Sequence, residues 1–261
     1  MIRAALLGAA LLCVMQFLFW LRQVRTKNAG WVDVGWALGL AVMAFVAAGF
    51  GTSMPARRLM VALMGGLHGL RLGAHLWHRV ATDPHEDGRY QTIRAAWKTR
   101  LNAKFFGFFQ AQALLDVLLG IPFLLAAWNP NPAFHPLEWM AFGVWCLSWI
   151  GESVADAQLR RFKAKPEAKG RTCRDGLWHY SRHPNYFFEW LVWVAYALLA
   201  LSAPHGWMAV SCPLLMLYFL LRVTGIPYTE AQALKSRGED YLRYQQETSA
   251  FIPWFPKKGT A

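Results

Sequence analysis

Seven long apolar runs limit what this chain can become. The first, "AALLGAALLCVMQFLFWL" over 4–21, has Gln16 as its only strongly polar residue. The others cover roughly 31–51, 59–78, 105–127, 137–155, 186–202 and 207–223. A helix that crosses a bilayer needs about 20 mostly apolar residues. Composition points the same way: 56% of the 261 residues are hydrophobic and only 16% are charged, against about 25% charged in an average soluble domain. The runs predict an all-α, polytopic integral membrane protein with seven transmembrane helices. The first run reads as a span and not as a secretory leader, because "RQVRTKN" follows it where a leader ends in small residues.

The net charge of +12 would ordinarily raise the question of nucleic acid. Its distribution answers that question. With seven spans, Arg3, Arg57 and Arg58 fall on one side, and Arg71 and Arg222 lie within runs. Every other Lys and Arg, out to Lys257 and Lys258, falls on the opposite side. The positive side of a membrane protein is cytoplasmic. The orientation expected is N-terminus out and C-terminus in, in a bacterial inner membrane, with no nucleic-acid partner. The outer loops are short, and the inner segments 79–104, 156–185 and 224–261 are long and charged. Function concentrates in such segments. Helical spacing over 229–247, stopped by Pro253 and Pro256, predicts a cytoplasmic C-terminal helical tail. The four cysteines are scattered without a CxxC and imply neither disulfide nor zinc. No small-residue face argues for a dimer, so a monomer is expected.

Polar residues inside apolar runs are expensive and mark cavities, partners or sites. "WVDVGW" puts Asp33 at the start of the second run. In "HGLRLGAHLWH", His68, Arg71, His75 and His78 share one helical face. Gln110, Asp116, Glu152 and Glu189 follow in later runs. These predict a polar interior reached from the cytoplasm. The plainer alternative is that each satisfies backbone or a neighbour near the interface. No HxxHH box is present, so no metal centre is expected.

Residues 152–189, "ESVADAQLRRFKAKPEAKGRTCRDGLWHYSRHPNYFFE", combine cations with aromatic faces. Arg160, Arg161, Lys163, Arg171, Arg174 and Arg182 could cradle an anion. Asp156 and Gln158 offer acceptors, Asn185 both donor and acceptor, and Trp178, Tyr180 and Tyr186 flat faces for a ring. By composition alone, the favoured reading is that the cations serve orientation and touch lipid phosphates.

"DGLWHYSRHPNYFFEW" and the tail "EAQALKSRGEDYLRYQQETSAFIPWFPKK" resemble the bacterial branch of the steroid 5-alpha-reductase C-terminal family. Its members are often labelled only as a domain of unknown function. The wider group takes in sterol C14 and C7 reductases and isoprenylcysteine carboxyl methyltransferases. The resemblance is strong over about 150–256. It is weaker over 30–110, where "WVDVGW", "GLRLG" and "EDGRYQ" carry it. It implies one membrane reductase domain over 1–261 that binds NADPH, with the cofactor-binding half at about 150–256. By position, Asp156, Arg160 and Lys163 would meet the adenosine or phosphate end. Trp178, Asn185 and Tyr186 would line the cofactor, and Glu189 falls where the family sets a carboxylate near the nicotinamide. Glu230 and Tyr244 would close over it. Arg174, Arg182 and His183 complete the implied set. The sequence departs from the family pattern at Leu159, Lys163 and Arg237, which leaves the contact to the 2′-phosphate least defined.

Reducing an activated carbon–carbon double bond takes a hydride and an acid that stabilises the developing negative charge. The resemblance places His68 at the family's tyrosine donor position, and Asp33 is the nearest carboxylate to supply its partner. Tyr90 in "EDGRYQ" is a second candidate donor. The expected substrate is a lipid or steroid-like compound drawn from the membrane. The alternative is a methyltransferase using S-adenosylmethionine, which shares "RHPxY" and the tail pattern. A non-enzymatic lipid-binding protein is a further alternative.

Overall fold

The computed structural model describes residues 1–83 and 85–257. Lys258, part of the cationic tail, lies outside them. The described residues are helical throughout and contain no strand. Among the described residues, six helices are long and apolar enough to cross a membrane: Ile2–Thr26, Trp31–Phe50, Pro55–Thr82, Leu101–Ala127, Pro184–Leu201 and Gly206–Arg237. They cover the first four apolar runs and the last two. The fifth run, 137–155, lies on a 28-residue helix, Pro136–Lys163, which is long enough. Glu138, Glu152 and Asp156 dilute its apolar character.

The chain divides into two compact units. The first comprises 1–139 and 198–209, and the second 140–197 and 210–261.

In the first unit, α1 (Ile2–Thr26), α2 (Trp31–Phe50), α3 (Pro55–Val61) and α4 (His68–Thr82) come in order. A π-helical turn, Ala62–Leu67, joins α3 to α4 without a break. Next come α5 (Gly88–Ala96), α6 (Leu101–Leu119) and α7 (Ile121–Ala127). Helix α2 is central and packs on α1, α4, α6 and α7. Its small residues allow this. Ala37, Ala41, Ala44 and Ala47 are all buried, and small side chains let helices approach closely inside a membrane. On α4, a Cβ at Gly69 would stand 2.7 Å from the Ala37 carbonyl oxygen, so the α2–α4 contact requires glycine there.

One end of this unit is closed by a buried ion pair. Arg57, at the start of α3, is fully buried. Its Nε donates to Glu138 at 2.5 Å, and its Nη2 donates to the second Glu138 oxygen at 3.1 Å. Its remaining N–H groups reach the carbonyls of Asn129, Asn131 and Ala133. Glu138 also accepts from the His135 backbone N–H. A buried charge is tolerable when paired and hydrogen-bonded in this way.

In the second unit, α8 (Pro136–Lys163, its residues from Met140 onward) leads into a strap that holds the short α9 (Leu177–Tyr180). Helix α10 (Pro184–Leu201, its residues up to Ala197) enters with Pro184 at its first turn, where a missing N–H costs least. Helix α11 (Ser211–Tyr218) continues through a second π-helical turn, Phe219–Val223. The tail forms two helices, α12 (Ile226–Arg237) and α13 (Glu239–Glu247), that meet at Gly238. The helical spacing over 229–247 does not register this break. Beyond α13, residues 248–257 are non-helical, in keeping with Pro253 and Pro256.

Candidate functional site

The strap from Arg174 to Tyr186 is fastened on both sides. On the α8 side, the Trp178 indole N–H donates to the Ala155 carbonyl at 2.9 Å. Gln158 Oε1 accepts the Leu177 backbone N–H at 2.9 Å. Gly176 makes this turn with φ +57°, and a Cβ there would lie 2.2 Å from the Gln158 amide. Only glycine combines that φ with that approach.

On the tail side, the Tyr244 hydroxyl bonds to the Trp178 carbonyl and lies 3.1 Å from that of Ser181. Arg174 pairs with Glu247 at 2.6 Å. Arg182 Nε donates to Glu230 at 2.7 Å, and its Nη1 donates to the Gln245 and Thr248 carbonyls. Glu230 also bonds His183 Nε2 at 3.2 Å and accepts from Gln245 at 2.8 Å. The His183 ring stacks on Tyr186 at 5.3 Å, and the Tyr186 hydroxyl meets Thr229 at 3.1 Å. Burial holds the His183 imidazole below its ordinary pKa, with Arg182 adding to that and Glu230 opposing it. Burial also raises the Tyr244 hydroxyl far above the ordinary tyrosine range.

All twelve residues the sequence marks for a cofactor therefore lie in the second unit, in two groups. Arg174, Trp178, Arg182, His183, Tyr186, Glu230 and Tyr244 bond or stack on one another and on nearby backbone, and so fasten the strap. Asp156, Arg160 and Lys163 on α8 and Asn185 and Glu189 on α10 make up the other group. Asn185 Nδ2 donates to Asp156 Oδ1 at 3.4 Å. Its Oδ1 is buried and accepts no hydrogen bond among the described residues. Four positions on along α10, Glu189 accepts from the Trp193 indole at 3.1 Å. Arg160 is exposed and carries no ion pair among the described residues.

The three proposed proton-donor residues lie in the first unit, and two of them meet. The Tyr90 hydroxyl donates to Asp33 Oδ1 at 2.5 Å. Arg89 donates to Asp33 Oδ2 at 3.0 Å and Arg79 stands 3.6 Å away. Asp87 caps α5 by accepting the Arg89 backbone N–H at 3.0 Å and binds the same guanidinium. Burial alone would raise Asp87, but Arg89 and Arg79 together hold it below the ordinary carboxylate value. Burial, then the charge of Asp33, pushes the Tyr90 hydroxyl well up.

Asp33 is not bonded to His68. Gly69 packs against Ala37 and Ala41, which sets His68 about 12 Å deeper along the bundle than Asp33 at 1.5 Å rise per residue. His68 is fully buried, whereas His75 and His78 further along the stripe are exposed. Asp116 is fully buried beside Gly39, with neither oxygen hydrogen-bonded among the described residues. Nothing in the structure accounts for it.

Sequence reasoning missed the Arg57–Glu138 pair. A lone carboxylate, Glu138, at the start of the fifth apolar run was the available signal. It also missed Glu86, which accepts from Arg94 at 2.8 Å and from the Ala29 backbone N–H at 2.7 Å.

Fold and site define a multi-pass helical membrane protein with a polar, strapped unit built on its later helices. The chain belongs to the family described as "Protein of unknown function (DUF1295)", matched over residues 19–248. It is similar to "Uncharacterized protein C594.04c" of Schizosaccharomyces pombe (strain 972 / ATCC 24843), with 26% identity over 224 residues. That match covers 76% of this chain and 65% of the relative, so the chain spans slightly under two thirds of the relative's length. No solved structure matches the chain.

Proposed function

We propose that this protein is an NADPH-dependent membrane reductase that reduces an activated carbon–carbon double bond of a lipid or steroid-like substrate. The observation that carries the proposal is the buried Asn185 Oδ1, an acceptor left open beside Asp156 on the first turn of α10. A buried amide oxygen without a partner costs about 1–3 kcal/mol. An N–H donor from a ligand, such as a carboxamide, would remove that cost. Arg160 and Lys163 lie one and two turns beyond Asp156 on α8, where phosphate would find cations. Arg174 and Arg182 already serve carboxylates, so they hold the site's frame and do not take phosphate themselves.

The bound cofactor would supply the hydride. The proton has to come from the protein, and the Tyr90–Asp33 pair is the better formed of the two candidate donors. Asp33 holds the phenol by a short hydrogen bond, and Arg89 and Arg79 balance its charge. His68 stays a second candidate.

The same proposal takes α8 as a seventh span. Pairing α8 with the six more apolar helices gives an odd number, and the cationic segments then share one face of the membrane. That face would be cytoplasmic, with the N-terminus outside and the protein a monomer in a bacterial inner membrane.

The test is ligand binding by the purified protein in detergent. Saturable NADPH binding, weakened about tenfold by Asn185→Ala through loss of one good hydrogen bond, is the expected result. Binding of S-adenosylmethionine with none of NADPH would replace the reductase by a methyltransferase.

A further inference from the structure

The first unit carries a groove of about 760 Å³ along the Thr26 end of α1. Met15, Leu18, Leu21 and Leu38 make an apolar wall, Trp77 a side, and Arg22 and Arg25 the rim. The reductase proposal uses none of these residues.

The rim is built for an anion. The Arg22 guanidinium carbon lies 4.0 Å from the centre of the Trp31 ring and 5.3 Å from that of Trp77. Stacking fixes a guanidinium by its faces and leaves its in-plane N–H donors open for a forked contact with phosphate. The neighbouring acids are already engaged. Asp33 and Asp87 bind Arg89, and Glu86 binds Arg94. Arg22 and Arg25 carry no ion pair among the described residues. The groove thus ends in two uncompensated cations.

The wall is built for a chain. Helix α1 is the least covered of the candidate spans, with 22% of its apolar window buried against 39–56% in the others. A hydrocarbon lying along Met15, Leu18 and Leu21 would follow the helix direction. Its polar end would come to the last turn of α1, where the helix dipole opposes an anion, so the two arginines must outweigh it. Scattered surface arginines would not be joined to an apolar channel of this size, and a soluble phosphate would have no use for one.

We propose that this groove is a specific site for an anionic phospholipid, with the phosphate held by Arg22 and Arg25 and one acyl chain along α1. The site is independent of the reductase proposal. It would stand if NADPH did not bind, and NADPH binding would survive its loss.

The experiment is native mass spectrometry of the full-length protein in detergent, titrated with phosphatidylglycerol or phosphatidylcholine of the same chains. The expected result is one phosphatidylglycerol retained about tenfold or more in preference to phosphatidylcholine, as two arginines at a membrane surface predict. The double variant Arg22→Gln/Arg25→Gln should lose that preference, and Arg22→Lys/Arg25→Lys should keep most of it. Leu21→Trp fills the groove, leaves the charges in place, and should abolish retention without changing the melting temperature. Equal retention of the two lipids would overturn the site. So would a preference that survives the double Gln variant, or one untouched by Leu21→Trp. Competition by glycerol phosphate as effective as by whole lipid would also overturn it, since the headgroup alone would then suffice.

Discussion

Two loops of this molecule use their charge in opposite ways. Over 83–100, in the first unit, four Lys and Arg accompany three acids. Arg89 and Arg94 each close on a carboxylate there, and Arg79 at the end of α4 joins them. Over 156–183, in the second unit, eight Lys and Arg accompany three acids. Arg174 and Arg182 are paired, but only by reaching Glu247 and Glu230 in the tail. Arg160, Arg161, Lys165, Lys169 and Arg171 have no ion pair among the described residues. The first loop is a neutralised joint that positions Asp33 and Tyr90. The second is a frame with cations in excess. Excess of one sign destabilises a fold slightly unless an anion arrives, so the surplus marks where a negatively charged ligand would be welcome.

The sharpest way to break the comparison is to uncouple a buried charge in the first unit. Glu138→Ala leaves Arg57 buried without its carboxylate and should cost about 3–5 kcal/mol, read as a lower melting temperature in detergent. An unchanged melting temperature would mean that this charge is not held as described. Asp116 is the first unit's exception, a buried carboxyl with no hydrogen bond. Asp116→Leu keeps the shape and should raise stability by about 1–3 kcal/mol; a fall would show that the carboxyl has a partner or a task.

In the second unit, Tyr244→Phe removes a hydroxyl that ties α13 to the strap. It should cost about 1 kcal/mol and speed amide exchange over 174–186 while leaving 83–100 unchanged. Faster exchange in both loops would erase the distinction between them.

The smallest effect expected is on acidification. His183 is held below its ordinary pKa of 6.5, so the unfolded chain takes up a proton first as pH falls. Its contribution is complete above 6.5 and drains below it. Asp87 is likewise depressed, but from 3.8, so its contribution persists until pH falls through that value. The strap should weaken before the first unit's joint does. Between pH 7 and 5.5, the melting temperature should fall more for the wild type than for His183→Gln. Equal falls would remove His183 from the account.

Much of the fold was legible because apolar run length is read directly from residues. The run 31–51 became α2 over Trp31–Phe50, and 186–202 became most of α10. The break at Gly238 was not read, since the spacing over 229–247 suits one helix as well as two. In the second unit, the sequence pointed to residues that share one region but did not show the pairings among them. Arg182 looked like a phosphate ligand because Glu230, its partner, is 48 positions away. Tyr244 looked like a lid because the carbonyls it binds are more than 60 positions away. Local spacing cannot register such pairings. The place of Asn185 on the first turn of α10 was legible, because Pro184 in "RHPNYFFE" fixes the start of that helix.

The two π-helical turns, Ala62–Leu67 and Phe219–Val223, affect how this chain should be compared with any relative. Each such turn holds one residue more than an α-turn, so all that follows on the same helix is rotated by about 100°. A relative lacking one residue in 62–67 would keep a smooth helix and every hydrophobic position in the preceding half. It would nonetheless aim the residues corresponding to His68, Arg71 and His75 at a different neighbour. Gap placement at these two points therefore decides whether aligned residues share a direction, and a single-residue deletion there would redirect a whole polar face without altering a side chain.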